Sequence, residues 1–311
     1  MYKFRKGARM MKNMKRIILL SPIIFGLIFS VTYTFFAPNK VQAVSEMLDK
    51  PVVVYGANLS DSQKEEVKRL LDVNEEMTEL SVSGQDLNYY INGDPNSNMY
   101  SSVKIVQKSD GHGIVVNIIT ADNITQVTSE MYSNALLTAG VENALVEVAS
   151  PIPVTGHSAL TGIYKAYDEG GSELDKDRME VANEELSIST ELAEKGISQE
   201  KVAELMTEIK KAIAEQNPAT REDIERIIQE QLDNLEINLS EEDRQLLIDL
   251  FEKMRNLDID FDKVREQLED ITNTIKDRLG ELDIDEGFWE KVINFVRNLF
   301  ESLASIFKRQ E

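Results

Sequence analysis

Short runs rich in β-branched residues alternate with stretches of helical period between residues 51 and 149. Four runs predict strands, because apolar residues cluster between turn signals: "PVVVYG", "SSVKIVQ", "GIVVNIIT" and "NALVEVA". Two stretches predict helices, because their apolar residues fall on one face: "LSDSQKEEVKRLLDV" and "TQVTSEMYSNALLTAG". The order βαββαβ predicts a ferredoxin-like domain, with both helices on one face of an antiparallel sheet.

Local signals mark the ends of these elements. Ser60, with Gln63 three residues later, predicts a helix start with a capping box, and Gly140 predicts a helix end. Asp110 and Gly111, between the second and third predicted strands, favour a hairpin. The stretch "MTELSVSGQDLNYYINGDPNSNMYS" is too long for a plain connection, so we expect it to hold a small strand and a helical turn.

The stretch "ASPIPVTGHSALTG" follows the last predicted strand. Pro151 and Pro153 keep it out of a central ladder, and Gly156 allows the chain to turn. Ser158 then predicts the cap of a helix over "ALTGIYKAY". The stretch is therefore a strand-to-helix reversal.

The chain changes character after residue 168. Residues 44–168 hold 17 acids and 7 bases, whereas residues 169–311 hold 38 acids and 19 bases. The pattern of residues 169–311 predicts a series of helices. The paired glycines of "DEGGSE" neither propagate a helix nor pair as a strand, so we place a domain boundary between 168 and 169.

Helix starts in the second half follow residues that cap well: Ser198, Thr220, Ser240 and Asp262. Three segments share a short pattern before a helix, namely Leu, an acid, Ile, and then Asp or Asn. This repeated pattern is too short to indicate a solenoid. The predicted fold class is α+β, with a ferredoxin-like domain over 44–168 and an acidic, all-helical bundle or array over 169–311.

The N-terminal segment indicates export. The first 43 residues carry eight bases and no acid, and an apolar run covers 17–37. Val41 and Ala43 fit the positions before a signal-peptidase cut, so we interpret 1–43 as a signal peptide. The alternative is an uncleaved anchor, since the run is about the length that crosses a bilayer. Both interpretations place the rest of the chain outside the cytoplasm, secreted or anchored.

Charge and cysteine content exclude several classes of function. Loss of eight bases with residues 1–43 would change the formal net charge from −21 to −29, a charge that repels nucleic acid. The absence of cysteine excludes disulfides, thiolate metal sites and a lipid-modified N-terminal cysteine. We expect no cofactor and an ordinary apolar core.

Several separated strings resemble one known family. "VVVYGANLSDSQKEEV", "SNMYSSVKI", "ASPIPVTGHSALTGIYKAY" and the tail beginning "NLEINLSEEDRQLL" are similar to the YpuA-like secreted proteins of Gram-positive bacteria. That family is defined by a domain of unknown function. The resemblance implies an envelope or extracellular protein, and it assigns no role to any residue.

His157 and Ser158 are the candidate catalytic residues, since a helix start favours negative charge and a histidine can activate a hydroxyl. Adjacent residues rarely point at a shared atom, however, and no third member is evident, so we interpret the pair as structural. His112, in the predicted hairpin, is a weaker candidate.

Asp258, Asp260, Asp262 and Glu269 imitate the acid spacing of a calcium loop. The glycine that such a loop requires is replaced by Lys263, so a helix cap explains these acids better than a metal site.

The segment "FWEKVINFVRNLFESLASIF" predicts an apolar-striped helix that docks on the bundle. The alternative is that it touches a membrane or a partner groove. If it docks, Trp289 is buried and deletion from Gly287 onward lowers the free energy of unfolding by several kcal/mol, since each large apolar side chain contributes roughly 1.5–3 kcal/mol.

These observations favour an exported, non-enzymatic binding or structural protein with an unidentified envelope or protein partner, because histidines are few and no catalytic set converges. Two alternatives remain: an exported hydrolase that uses His157, and a calcium-responsive envelope protein.

Overall fold

The computed structural model of the protein describes residues 50–172, 174–257 and 259–281, with side chains omitted at 261–263, 266 and 277–281. This part of the chain forms a mixed α+β fold, in which the strands come first and a run of helices follows. The strands form one sheet: β1 Val52–Gly56, β2 Thr78–Val82, β3 Ser102–Gln107, β4 Ile114–Ile118 and β5 Ala144–Ala149.

Nine α-helices lie within the described ranges. Four are interleaved with the strands or follow them directly: α1 Asp61–Leu70, α2 Gly84–Ile91, α3 Ser129–Ala139 and α4 Ser158–Glu169. Five come afterwards: α5 Lys176–Glu194, α6 Gln199–Gln216, α7 Arg221–Asn234, α8 Glu241–Arg255 and α9 Phe261–Glu281. None of them is long and apolar enough to cross a membrane.

Most local predictions of helix ends are confirmed. The predicted capping residues accept a hydrogen bond from the backbone of the first helical turn: Ser60, Ser198, Thr220 and Ser240. Gly140 ends α3 in the left-handed region with φ +94°. The predicted small strand and helical turn are β2 and α2. By contrast, α9 begins at Phe261, one residue before the predicted cap Asp262.

The order of the strands differs from the prediction. The sheet runs β2-β1-β3-β5-β4, with β1 parallel to β2 and β4 parallel to β5. The two inner pairings, β1 with β3 and β3 with β5, are antiparallel. The ferredoxin-like order is not confirmed, and the predicted hairpin is wrong because β5 lies between β3 and β4.

The connection over residues 108–113 explains this difference. It crosses the amino end of β5 beside Asn143, the residue before that strand. Lys108 N donates to Asn143 O at 2.9 Å, and Gly113 N donates to Asn143 Oδ1 at 3.0 Å. Two strand spacings amount to about 10 Å, and six extended residues reach about 20 Å. The loop is therefore long enough to leave a gap of one strand, which β5 fills after α3 returns the chain.

Helices cover both faces of the sheet, so the predicted placement on one face is wrong. Val54 contributes to a large core shared with α3 and α4, which lie on the inner face. Val53 and Tyr55 point to the outer face and pack on Val67 and Leu71, at the end of α1. All five residues of β1 are consequently buried.

The reversal after β5 is confirmed. Gly156 adopts φ +107°, and a β-carbon there would lie 2.7 Å from the hydroxyl of Tyr132. That hydroxyl donates to Gly156 O at 2.6 Å. His157 already has helical backbone angles, and α4 begins at Ser158 itself. The prediction that Ser158 is the cap is therefore wrong.

The two predicted domains share an apolar core in this part of the chain. All eleven residues of α3 are buried, because the sheet lies on one side and α5, α6 and α9 pack on the others. Whether residues 44–168 fold alone stays a prediction. The predicted helix after Gly287 lies outside the described residues.

Candidate binding cleft

Two adjacent tyrosines occupy the last turn of α2. A capping box starts this helix, since Ser83 N donates to Asp86 Oδ2 at 2.7 Å. Neighbouring helical residues point about 100° apart, so Tyr90 turns into the core while Tyr89 stays 67% exposed. Tyr89 is one of only three large apolar or aromatic side chains that are exposed in the described ranges.

An ion pair attaches α2 to α4. Lys165 Nζ lies 2.7 Å from Asp86 Oδ1, and both side chains are mostly buried. Burial alone would raise the pKa of Asp86, but the hydrogen bonds from Lys165 and Ser83 hold it below its ordinary value. Asp86 therefore stays ionised at neutral pH and fixes α2 against α4.

Tyr89 and Tyr90 form one wall of a surface cleft of about 430 Å³, which we call the tyrosine cleft. Tyr164 and Asp168 of α4 form another part of it, and Leu174, Asp175, Lys176 and Met179 close it from the start of α5. The tyrosine cleft thus combines residues of α2, α4 and α5. It mixes an aromatic and apolar floor with an exposed, charged rim.

The aromatic rings meet at steep angles. The ring centroids of Tyr89 and Tyr90 are 4.9 Å apart, with 79° between the ring planes. Tyr90 and Tyr164 are 6.5 Å apart at 64°. Edge-to-face contacts of this kind are favourable between aromatic side chains, and they hold the rings in fixed orientations.

The phenol groups of the floor are hydrogen-bond donors. Tyr90 Oη donates to Asp168 Oδ2 at 2.7 Å, and Tyr164 Oη donates to Met179 O at 3.4 Å. Burial raises the pKa of both tyrosines, and the negative charge of Asp168 raises that of Tyr90 further. Both phenols are therefore protonated at neutral pH and suited to binding rather than to proton transfer.

The charge around the rim is predominantly negative. Two acids, Asp168 and Asp175, and one base, Lys176, line the cleft, and a second base, Arg178, follows in the same helix. Arg178, one of the bases, points away from the rim, since its Nε donates to Thr138 O at 2.8 Å and its Nη2 to Leu137 O at 3.1 Å. Lys176, the other base, lies 3.9 Å from a carboxylate oxygen of Glu180. The tyrosine cleft therefore favours a neutral or cationic ligand.

The structure does not bring the predicted catalytic residues into this cleft. His157 is half-buried, with Nδ1 3.2 Å from Thr155 Oγ1 and Nε2 3.3 Å from Thr190 Oγ1. Burial lowers its pKa, and the charge of Glu194 opposes that shift only in part. His157 is thus a neutral ring between two threonine hydroxyls at neutral pH. The interpretation of His157 and Ser158 as structural residues, with catalysis as the weaker alternative, stays a prediction.

The other candidate residues are also dispersed. His112 lies in the loop between β3 and β4, where Nδ1 is 3.2 Å from Gly113 O. Asp258 and the side chain of Asp262 are outside the described residues, while Asp260 and Glu269 are exposed. Within the ranges that the structure describes, no three acids or histidines are grouped as metal ligands. The calcium site, which the sequence analysis gave as the weaker alternative, is neither supported nor contradicted.

A second cavity, of about 360 Å³, lies between the carboxyl end of β4 and the start of α3. Two of its polar side chains are engaged within the protein. Thr128 Oγ1 accepts from Met131 N at 3.2 Å, and Gln199 Nε2 donates to Gln126 O at 2.9 Å. The tyrosine cleft, with its exposed ring and open carboxylates, is therefore the stronger candidate.

Comparison with known proteins places the chain in a family. Residues 55–271 match the family described as "Protein of unknown function (DUF1002)". The chain belongs to this family. It is also 33% identical over 276 residues to the "Uncharacterized protein YpuA" of Bacillus subtilis (strain 168), covering 86% of this chain and 93% of that protein. No solved structure matches it significantly.

The family match extends the resemblance that the sequence strings suggested. It covers β1 from Tyr55 onward, the rest of the sheet and most of the helices, including every residue that lines the tyrosine cleft. Neither the family nor the relative from Bacillus subtilis carries a named activity. The chemistry of the cleft therefore depends on the side chains that line it in this chain.

Sequence reasoning missed the tyrosine cleft. Tyr89 and Tyr90 lie in the stretch predicted only as a small strand and a helical turn, and Asp168 marked the predicted domain boundary. Tyr90 and Asp168 are separated by 78 residues, so no local pattern joins them. The only signal was the unusual pair of adjacent tyrosines.

Proposed function

We propose that this protein is an exported, non-enzymatic binding protein of the cell envelope, and that its ligand enters the tyrosine cleft. The observation that carries the proposal is the ring of Tyr89, which is 67% exposed beside a cavity of ligand size. Tyrosine is enriched in binding interfaces relative to the rest of the protein surface.

The state of the cleft residues supports binding rather than catalysis. Tyr90 and Tyr164 are protonated, and Asp168 accepts a hydrogen bond from Tyr90 on one oxygen. The rings and carboxylates are held by α2, α4 and α5, which are connected through Lys165, Asp86 and the shared core. A site on such rigid elements is organised before the ligand arrives.

Export rests on the N-terminal sequence. The bases, the apolar run and the small residues before Val44 together resemble a signal peptide. N-terminal sequencing of the protein recovered from the culture medium or the envelope tests this part. A mature protein that begins at Val44 supports cleavage of the signal peptide. An uncleaved N-terminus in the membrane fraction supports the anchor.

Retention by envelope fractions tests the binding function. Purified residues 44–311 are incubated with washed envelope, and the retained protein is quantified for wild type and for Tyr89→Ala, Tyr89→Phe and Val115→Ala. Val115 is a matched control, since it is 40% exposed but lies on β4.

We expect Tyr89→Ala to reduce retention, while Tyr89→Phe and Val115→Ala bind as the wild type does. Wild-type retention of Tyr89→Ala would contradict the assignment of the cleft. Release of reaction products from the envelope during the incubation would contradict a non-enzymatic role.

A further inference from the structure

Three features of the tyrosine cleft define the chemistry of its ligand. The first is the exposed ring of Tyr89, which stands at 79° to the buried ring of Tyr90 and is the aromatic group of the cleft that a ligand can reach. An exposed aromatic ring attracts a cation such as an alkylated ammonium ion, because the face of the ring carries partial negative charge.

The second feature is the placement of the carboxylates. Asp168 accepts a hydrogen bond from Tyr90 on Oδ2, and Asp175 accepts one from Arg178 N on Oδ1. Each of these hydrogen bonds uses only one of the two oxygens of its carboxylate. Both carboxyl groups are exposed at the rim. They add full negative charge to the partial charge of the ring faces.

The third feature is the direction of the nearby bases. Arg178 binds carbonyl oxygens of α3, whereas Lys176, which lines the cleft, lies 3.9 Å from a carboxylate oxygen of Glu180. The charged residues that line the cleft are two acids, Asp168 and Asp175, and one base, Lys176. An anionic ligand would be repelled, and a cation would be attracted.

We infer that the tyrosine cleft binds an alkylammonium group, with the ring of Tyr89 against the alkyl substituents and the carboxylate of Asp168 beside the charge. This inference rests on the proposed binding function and names its ligand class. A methylated or quaternary ammonium fits better than a bare ammonium ion, because aromatic faces replace water more readily around a weakly hydrated cation.

Calorimetric titration of residues 44–311 with choline chloride tests the inference. The first matched probe is 3,3-dimethylbutan-1-ol (called dimethylbutanol below), an uncharged alcohol that has the shape of choline with carbon in place of nitrogen. The second is N-acetylglucosamine, a neutral sugar. We expect choline to bind, the alcohol to bind at least about fivefold more weakly, and binding of choline to weaken as salt is added.

Variants separate local contact from the general field of the protein. Tyr89→Ala should weaken choline binding about two- to fivefold, and Tyr89→Phe should retain it. Asp168→Asn should weaken binding about fivefold. Asp177→Asn removes the same charge from an exposed residue that does not line the cleft, and it should have a smaller effect.

Equal affinities for choline and dimethylbutanol, or binding of N-acetylglucosamine without choline, would overturn the inference. So would equal effects of Asp168→Asn and Asp177→Asn. If Tyr89→Ala loses retention by envelope while choline fails to bind, the binding function stands and the ligand class is wrong. If Tyr89→Ala is retained normally, the binding function itself fails.

Discussion

Lys210 Nζ lies 2.6 Å from Glu185 Oε1, and both side chains are almost wholly buried between α3, α5 and α6. Lys210 also donates to Asn134 O at 2.8 Å, and Thr138 Oγ1 donates to Glu185 Oε2 at 2.6 Å. Burial lowers the pKa of Lys210 against the attraction of Glu185. This network joins a helix of the first half to two helices of the second.

Breaking this pair should destabilise the protein strongly. Lys210→Met leaves the carboxylate of Glu185 buried without its cation, which costs about 3–5 kcal/mol of unfolding free energy. Urea unfolding measures the change. The double variant Lys210→Met with Glu185→Leu should recover much of the loss, because no charge is then left unpaired.

The surface pair of Arg226 and Glu230, 3.0 Å apart, provides the control. Arg226→Met should change the unfolding free energy by less than about 1 kcal/mol. If Lys210→Met changed the unfolding free energy by a similarly small amount, the buried pair would not stabilise the packing of these helices.

Stability should fall as the pH rises through the titration of Glu204. Its carboxyl is buried on α6, and Oε2 has no hydrogen-bond partner in the described part of the chain. Burial and the charge of Glu208 raise its pKa to about 7, although Lys276, Lys201 and Lys211 act in the opposite direction. The folded protein therefore keeps a proton that the unfolded chain loses near pH 4.5.

The sign follows from linkage: between about pH 4.5 and pH 7 the folded state binds more protons, so stability declines with rising pH. Glu204→Gln removes this dependence and should stabilise the protein by up to about 3 kcal/mol at pH 7. Urea unfolding of wild type and variant at pH 5, 6 and 7 gives the difference. A constant difference across these values would contradict the raised pKa.

His157 should titrate below its ordinary range in the folded protein. Burial between Thr155 and Thr190 disfavours the charged ring, so the pKa is lowered from 6.5. The associated stability is present above that value and decreases as the pH falls through the folded pKa. Proton NMR of the ring, assigned with a His112→Asn variant, gives the midpoint.

Titration of the same protein in urea supplies the reference for His157, since an unfolded histidine titrates near pH 6.5. A folded midpoint at or above this reference would show that the environment of His157 differs from the one described.

Dissection of the chain tests the predicted domain boundary. Residues 44–168 alone would expose the face of α3 that packs on α5, α6 and α9, and would leave Asn134 and Thr138 without their partners. We expect this fragment to lack the cooperative thermal transition of residues 44–311. A sharp transition and a dispersed amide NMR spectrum for the fragment would instead support two independent domains.

The sequence by itself determined the local structure, because the signals involved act within a few residues. Ser60, Thr220 and Ser240 cap helices through hydrogen bonds to backbone groups of the first turn. Gly140 and Gly156 occupy backbone conformations that favour glycine. The α+β class and the family resemblance followed from the same local patterns.

Only the tertiary structure decided the order of the strands and the composition of the tyrosine cleft. β5 separates β3 from β4 because its edge pairs with both neighbours, and such pairing depends on residues far apart in the chain. Tyr90 and Asp168 likewise form their hydrogen bond only after α2 docks on α4 through Asp86 and Lys165. Hydrophobic periodicity shows which face of an element is buried, but it does not identify the element that covers that face.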